Sequence, residues 1–542
     1  MDVLILAAGL GSRLSKFTHD VLPKYLINLD NHTGLYYIIN YWQKYAHNIY
    51  LVIHSKYNSI TQFYIDNILS DYKNKIIIIN YDSSDGTAYT INHILNTELL
   101  KYNIENLLIT WCDIFPDEKI EFENIKKSRN ANNIYVFTYG DKCRYKLNIN
   151  NEIESSQCGD VIGIYYFQNY KKFLLNDSCF NNDIVLYLNI IGTIYKFPLK
   201  NIIDYGDEDK LINIINNPIK KTFDCRYFNS LQVIDNDKLL KKSVNDKGNI
   251  IIKNEKDWYK YIYNLNNVPN DIALPKIYKY YEYGFLMEYK NNYIPLYQYL
   301  ETVNVNFKTQ TQTQTQKQTQ TKILNNIFNK LNILHSIECK EQTKIVFFND
   351  LKKEIYDKVI NRKKIINPLL NYIGNIEYVN DLKILSFENI IEKCKNIIVK
   401  YYDALDIYKY NIIIGDCNFS NILINPDDIC DIVFIDPRGY YGETKIHGIV
   451  EYDISKILYA ISGYDKFNAK NFNIESIDIE NKRLKFNIES IFFENNVINK
   501  CFNKVHKAFM VIHWLSLAEY NKNNIWKCIA SYYYGLYLGT LL

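Results

Sequence analysis

Short runs of apolar, β-forming residues recur through the first two hundred positions at 3–7, 49–53, 76–79, 107–110 and 134–138, with longer segments of helical spacing between several of them. This alternation predicts the βαβ rhythm of a doubly wound sheet. The unbroken Ile76-Ile77-Ile78-Ile79 run predicts a strand covered on both faces, as parallel sheets require, and ligands are then expected at the carboxyl ends of the strands. The texture changes from about Thr222. Positions 231–234 and 239–240 predict a hairpin turning at Asp235-Asn236-Asp237, and 255–265 predicts a helix. Residues 309–321 form a Thr-Gln repeat with one lysine and no apolar face, which predicts a disordered insertion. Helical spacing resumes with Ile323, Ile327, Leu331 and Leu334 on one stripe, expected to face a core. The rest reads mostly helical, interrupted by strand-like runs at 412–414, 422–424 and 432–435.

A chain of 542 residues exceeds one ordinary core, and the change of pattern divides it into domains at 1–218 and 222–542. Its composition, 47% hydrophobic and 23% charged, is that of packed globular domains. The 50 tyrosines accompany a general excess of Asn, Ile and Lys, so aromatic richness is a compositional bias and not a sign of base stacking. A net charge of +3 with interspersed signs and no Lys/Arg block argues against a nucleic-acid partner and leaves room for a small anionic ligand. The 11 cysteines are scattered without a C-x-x-C pair, which predicts reduced thiols. No apolar run approaches the roughly 18 residues of a membrane span, and the N-terminus lacks a basic region and cleavage site, so a cytoplasmic protein is expected.

The first chemical signal follows the first strand. Ala7-Ala8-Gly9-Leu10-Gly11-Ser12-Arg13 combines small residues and two glycines, which let backbone N–H groups approach an anion, with a cationic side chain. Alone, such a loop also fits a tight turn after a buried strand. Four segments in order are more specific: the loop with Pro23-Lys24, then Ser84-Asp85-Gly86-Thr87-Ala88, then Trp111-Cys112-Asp113, then Asp204-Tyr205-Gly206-Asp207. Together they resemble the sugar-nucleotidylyltransferase family, which includes cytidylyltransferases for phosphocholine and similar alcohol phosphates. The resemblance implies a Rossmann-like mixed sheet. It also implies that Ala8, Gly9 and Gly11 wrap the phosphates of an NTP, that Arg13 and Lys24 neutralise the leaving pyrophosphate, that Gly86, Thr87 and Ala88 contact the nucleobase, and that Asp113 and Asp204 bind Mg²⁺. Trp111-Cys112 stands where the family more often has glycine, and the base segment is unusual, so the base (CTP or another NTP) stays open.

The second signal is Gly415-Asp416 followed by Asn421 between two apolar runs, with Ile435-Asp436-Pro437-Arg438-Gly439 after another. It resembles the aminoglycoside phosphotransferase and choline kinase family, in which such a spacing supplies a catalytic aspartate, a metal-binding asparagine and a later metal-binding aspartate. The implied fold is a two-lobed, protein-kinase-like α+β domain. Asp416 inherits the catalytic role, and Asn421 and Asp436 the metal. Lys241, with Lys242 as an equal rival, is the implied partner of the ATP phosphates, Glu255 its ion-pair partner, and Glu288 part of the adenine hinge. Glu451-Tyr452-Asp453-Ile454-Ser455-Lys456 resembles a helix start in capsule-type relatives that share D-P-R-G, where Asp453 reads as structural. Ile414 stands where the family usually has histidine.

A kinase makes a phosphomonoester and a nucleotidylyltransferase consumes one. The expected function is therefore a bifunctional enzyme that phosphorylates a small sugar, polyol or amino alcohol such as choline with ATP, then activates it with a second NTP for glycan or surface decoration. The alternative is a single-activity nucleotidylyltransferase whose C-terminal module binds a nucleotide or partner without catalysis. Small-molecule substrates and NTPs are the expected partners, and an oligomer is possible within this reading.

Overall fold

The computed structural model describes residues 1–82, 87–122, 133–170, 188–189, 192–217, 229–269, 271–305, 314–469, 472–491, 493 and 495–542. The chain divides into two compact units: Met1–Lys220 with Pro368–Ile373 and Lys522–Ile525, and Lys221–Asn367 with Gly374–Asn521 and Trp526–Leu542.

The first unit is a mixed α/β structure around a seven-stranded sheet. Its strands are β1 (Asp2–Ala7), β2 (Ile49–Ile53), β3 (Ile76–Asn80), β4 (Leu107–Trp111), β6 (Asn133–Leu147), β7 (Ile153–Phe167) and β8 (Thr193–Pro198), in the order β3-β2-β1-β4-β7-β6-β8. The first four are parallel, β7 runs antiparallel to β4 and to β6, and β8 runs parallel to β6. Every residue of β1 and β2 is buried, as their apolar runs demand. The Ile76–Ile79 run does form a parallel strand, but β3 is at the sheet edge and Ile76, Ile77 and Ile78 are only half-buried. An edge strand has a neighbour on one side alone, which an apolar run cannot reveal. The crossover helix Gly34–Trp42 buries Leu35, Ile38, Ile39 and Trp42, an i, i+3, i+4, i+7 stripe, and begins where Thr33 accepts a hydrogen bond from the Tyr36 N–H. A short pair, β5 (Ile114–Pro116) against β9 (Ile202–Asp204), lies just beyond the β4 carboxyl end.

The second unit opens with a four-stranded antiparallel sheet. Strands β10 (Asn229–Asp235), β11 (Lys238–Ser243), β12 (Ile277–Tyr281) and β13 (Gly284–Glu288) are ordered β10-β11-β13-β12. Helix Asp246–Tyr263 is capped by the Asn245 side chain and buries Ile252, Glu255, Trp258, Tyr259 and Ile262. Strands Ile422–Asn425 and Asp428–Phe434 pair antiparallel, and long helices Phe387–Leu405, Val450–Ile461, Lys504–Tyr520 and Ile525–Leu541 make up much of the rest. The Thr-Gln repeat runs into a helix. Part of it lies outside the described residues, but from Gln314 the chain is helical to Ser336, and Gln320 is buried. Glutamine is a good helix former, and a helix anchored by buried Ile323, Ile327, Leu331 and Leu334 propagates at little cost into polar residues ahead of it.

No described helix is long and apolar enough to cross a membrane. The nine described cysteines are all free thiols.

Candidate functional site

Parallel pairing places two connections side by side in the first unit. Leu6 of β1 is in register with Trp111 of β4, and the Cys112 N–H donates to the Leu6 carbonyl at 3.1 Å, so the loop after β1 and the Asp113 segment leave the sheet at adjacent points. Gly11 takes a left-handed φ of 72° at the head of the turn Ser12–Leu14, and a Cβ there would sit 3.1 Å from the Lys24 Cβ. Gly9 differs, because a Cβ would meet nothing within 4 Å, so packing does not require glycine there. Ala8 is half-buried beside it, and Arg13 is exposed.

Lys24, in the turn Lys24–Leu26, donates to Asp113 Oδ2 at 2.5 Å, with both side chains mostly buried. Burial disfavours the ammonium, but the ion pair and hydrogen bond with Asp113 outweigh it and hold the Lys24 pKa above the ordinary lysine value. Burial pushes the Cys112 thiol up to about 12, which keeps it neutral. Pairing of β5 with β9 returns the chain to the same place: the Tyr205 N–H donates to the Asp113 carbonyl at 3.0 Å, and the Gly206 N–H to Asp204 Oδ1 at 2.9 Å. A Cβ on Gly206 would lie 3.0 Å from Asp113 Oδ2 and 3.3 Å from Asp204 Oδ1. The two carboxylates thus flank one glycine. Lys210 binds Asp204 Oδ2 at 2.7 Å; burial opposes its charge, but Asp204 raises its pKa.

Gly86 lies outside the described residues. Thr87 and Ala88 begin the helix Thr87–Asn96.

In the second unit the loop between Lys409–Ile412 and Ile422–Asn425 is held by its backbone. Buried Asp453 accepts from the Ile414 N–H at 2.9 Å, the Gly415 N–H at 2.7 Å and pairs with His335 Nε2 at 3.0 Å. Buried Asp465 accepts from the Phe419 and Ser420 N–H groups at 3.1 and 2.9 Å. Gly415 has φ 79°, which a side chain would resist. With the backbone so fixed, the Asn421 amide donates to the Asp416 carbonyl at 3.0 Å and to its carboxylate at 3.3 Å.

Lys241 is 4% exposed and pairs at 2.8 Å with both Glu255 and Asp436, whereas Lys242 on the opposite face of β11 is exposed. Burial opposes the Lys241 charge, but Asp436 and Glu255 more than compensate and raise its pKa. Asp436 itself holds a φ of 57°. Glu288 stays apart from this group, because its carboxylate is engaged by Lys290 at 2.8 Å and by the Lys276 N–H at 3.1 Å.

Four residues to which the sequence assigned no role join this site, two of them, Lys456 and Arg438, inside segments already noted. Lys456 binds Asp416 at 3.0 Å, one turn after Asp453 on helix Val450–Ile461. Arg438 binds Glu354, donates to the Tyr452 hydroxyl at 2.5 Å and stacks at 3.8 Å over the Tyr440 ring. Lys358 binds Glu354 at 2.9 Å. The i, i+3 spacing of Asp453 and Lys456 is a signal for the first; Glu354 and Lys358 lie too far from the loop in sequence for spacing to disclose them. Among the described residues no group of three or more His, Cys, Asp or Glu has the arrangement of a metal centre, so an ion at either site would rely on one or two protein carboxylates or an amide together with phosphate oxygens.

No protein-family profile matches the chain, and no curated protein matches it. Solved structures are similar to its N-terminal part. A protein assigned as a glucose-1-phosphate thymidylyltransferase from Bacillus anthracis is 18% identical, with 42% of this chain and 98% of that one covered at a TM-score of 0.35. HddC from Yersinia pseudotuberculosis, complexed with GMP-PN, is 20% identical over 40% of this chain and 98% of its own, at 0.32. The inositol-1-phosphate CTP transferase from T. maritima is 15% identical over 40% and 97%, also at 0.32. At these values the likeness assigns no family.

Proposed function

We propose that the chain is a bifunctional enzyme, with a nucleotidylyltransferase in the first unit and a small-molecule kinase of protein-kinase-like architecture in the second. The observation that carries the first activity is the convergence of Asp113 and Asp204 on Gly206, with Lys24 bound to Asp113 and the Gly9–Arg13 loop alongside. Two hard oxygen donors around a position with no side chain fit Mg²⁺ bound by one or two carboxylates and substrate phosphates. Asp113 and Asp204 would hold such an ion, which would supply positive charge to the phosphate oxygens. Gly9 and Gly11 keep the loop narrow enough for its N–H groups to meet a triphosphate, and Arg13 and Lys24 neutralise the departing pyrophosphate. Asp113 and Asp204 hold their oxygens in a fixed relation because β5 and β9 are paired.

For the second activity, Lys241 fixed by Glu255 orients ATP phosphates, and Asn421 and Asp436 offer oxygen donors for the metal. Asp416 takes the proton of the acceptor hydroxyl as its oxygen bonds to the γ-phosphorus and the bond to the ADP oxygen breaks. The Asp453 and Asp465 clamps on the loop backbone support a working geometry. Acceptor products then meet the need of the first unit for a phosphomonoester.

The test is incubation with ATP, each of CTP, UTP, GTP and dTTP, and a panel of sugars, polyols and amino alcohols, read by mass spectrometry. An NDP-conjugate is expected from wild type. Asp113→Ala is expected to accumulate the phosphomonoester without conjugate; normal conjugate formation by that variant would refute the first site.

A further inference from the structure

Around the Asp416 side of the second unit, two cations, Arg438 and Lys358, meet on one carboxylate oxygen of Glu354, and a third, Lys456, pairs with Asp416. Asp350 is engaged by the Glu443 N–H at 3.1 Å and the Tyr410 hydroxyl at 3.0 Å. Arg438 is built into the loop itself. Its N–H donates to the Ile414 carbonyl at 2.8 Å, and a Cβ on Gly415 would come within 2.9 Å of the Arg438 Cβ.

Three titratable groups register the same positive field. His513, bound to Ser455 Oγ at 2.9 Å, is held neutral first by burial and then by Lys456, Arg438 and Lys358. Burial and Arg438 bring Lys358 down to about 8. Against the desolvation that it does feel, the Tyr440 phenol, 38% exposed, is lowered to about 8 by Arg438 and Lys358. Two cations that share a single carboxylate oxygen leave donor capacity that a second anion can meet. Two of the aromatic rings here already carry a cation: Arg438 lies on Tyr440, and Lys456 lies 5.2 Å from the Tyr459 ring centre.

We propose that the acceptor of the kinase-like half is an acidic alcohol, a small hydroxylated molecule carrying a carboxylate or phosphate, whose acid group binds among Lys358, Arg438 and Tyr440 while its hydroxyl meets Asp416. This rests on the kinase reading above. It disfavours choline and other cationic amino alcohols, which the same charges repel. Lys241 and Asp436 make a separate ion-paired group, which is the one assigned to ATP.

The experiment compares glycerol, glycerate, glycerol 3-phosphate and choline on the full chain, by ADP release and by calorimetric binding, in wild type, Lys358→Met and Lys358→Arg. The two acids are expected to exceed glycerol and choline in kcat/KM by about tenfold or more, the worth of one charged hydrogen bond. Lys358→Met is expected to remove that preference with KM for ATP unchanged, and Lys358→Arg to retain it. Preference for choline or glycerol, a rise in KM for ATP alone, or acid binding indifferent to Lys358→Met would overturn the proposal. Acid binding that depends on Lys358 without any ADP release would refute the kinase reading and leave the anion site standing; choline turnover without acid binding would do the reverse.

Discussion

Replacing Lys241 by methionine tests whether the ion-paired group is built for a nucleotide or merely for stability. The Lys241 and Glu255 side chains are 4% and 3% exposed, while Asp436 is 42% exposed. Loss of the lysine leaves Asp436 free to hydrate and takes a cationic partner from the buried Glu255 carboxylate. Breaking a buried pair from one side costs about 3–5 kcal/mol. Adding Glu255→Met removes the buried carboxylate as well, and a well-packed apolar pair is often no less stable than the ions it replaces. The double variant is therefore expected to be more stable than Lys241→Met by about 2 kcal/mol or more. Urea unfolding read by hydrogen exchange of peptides from β11 and helix Asp246–Tyr263 confines the measurement to this unit. ATP turnover is expected to be lost in both variants, so stability returns without activity. A single-variant cost under about 1 kcal/mol, or a double variant no more stable than the single, would refute the burial argument. Turnover in the stable double variant would remove Lys241 from the phosphate role.

Other outcomes follow from the same geometry. Gly206→Ala places a Cβ 3.0 Å from Asp113 Oδ2 and 3.3 Å from Asp204 Oδ1. It is expected to fold, shown by an unchanged circular dichroism spectrum, and to lose nucleotidyl transfer while keeping ATP turnover. Asp465 is raised to about 6 by burial, against its hydrogen bonds from Ser420 and Phe419. Its unfolded value is about 3.9, so between about pH 4 and 6 the folded chain holds a proton that the unfolded chain releases. Stability is then expected to fall by about 3 kcal/mol as pH rises through that window, and Asp465→Asn to flatten that component of the urea-midpoint profile. An unchanged profile in the variant would refute the assignment.

Much of the first sheet was legible because burial on both faces leaves an unbroken apolar run, as in β1, β2 and β4. The edge position of β3 was not, since strand order depends on pairing and not on local pattern. The hairpin β10–β11 was legible from its turn residues, and pairing with Phe285 in register puts Lys241, not Lys242, on the buried face. Site residues on loops after strands could be found by spacing. Those brought by distant helices could not: His335, Glu354 and Lys358 reach the Asp416 region only through packing, and nothing near them in sequence announces a partner. Glu288 ends β13, and its side chain is engaged by Lys290 and by the Lys276 N–H, contacts that the strand pattern does not announce.

The central claim is that one chain makes a phosphomonoester and then consumes it. Its most direct test is a time course of both products from ATP, a second NTP and the acceptor, in wild type and Asp416→Asn. The phosphomonoester is predicted to appear before the NDP-conjugate in wild type. Asp416→Asn is predicted to form neither, and to form conjugate at the wild-type rate when the phosphomonoester is supplied. Conjugate formation by Asp416→Asn from the unphosphorylated acceptor, or conjugate without prior ATP consumption in wild type, would contradict the account.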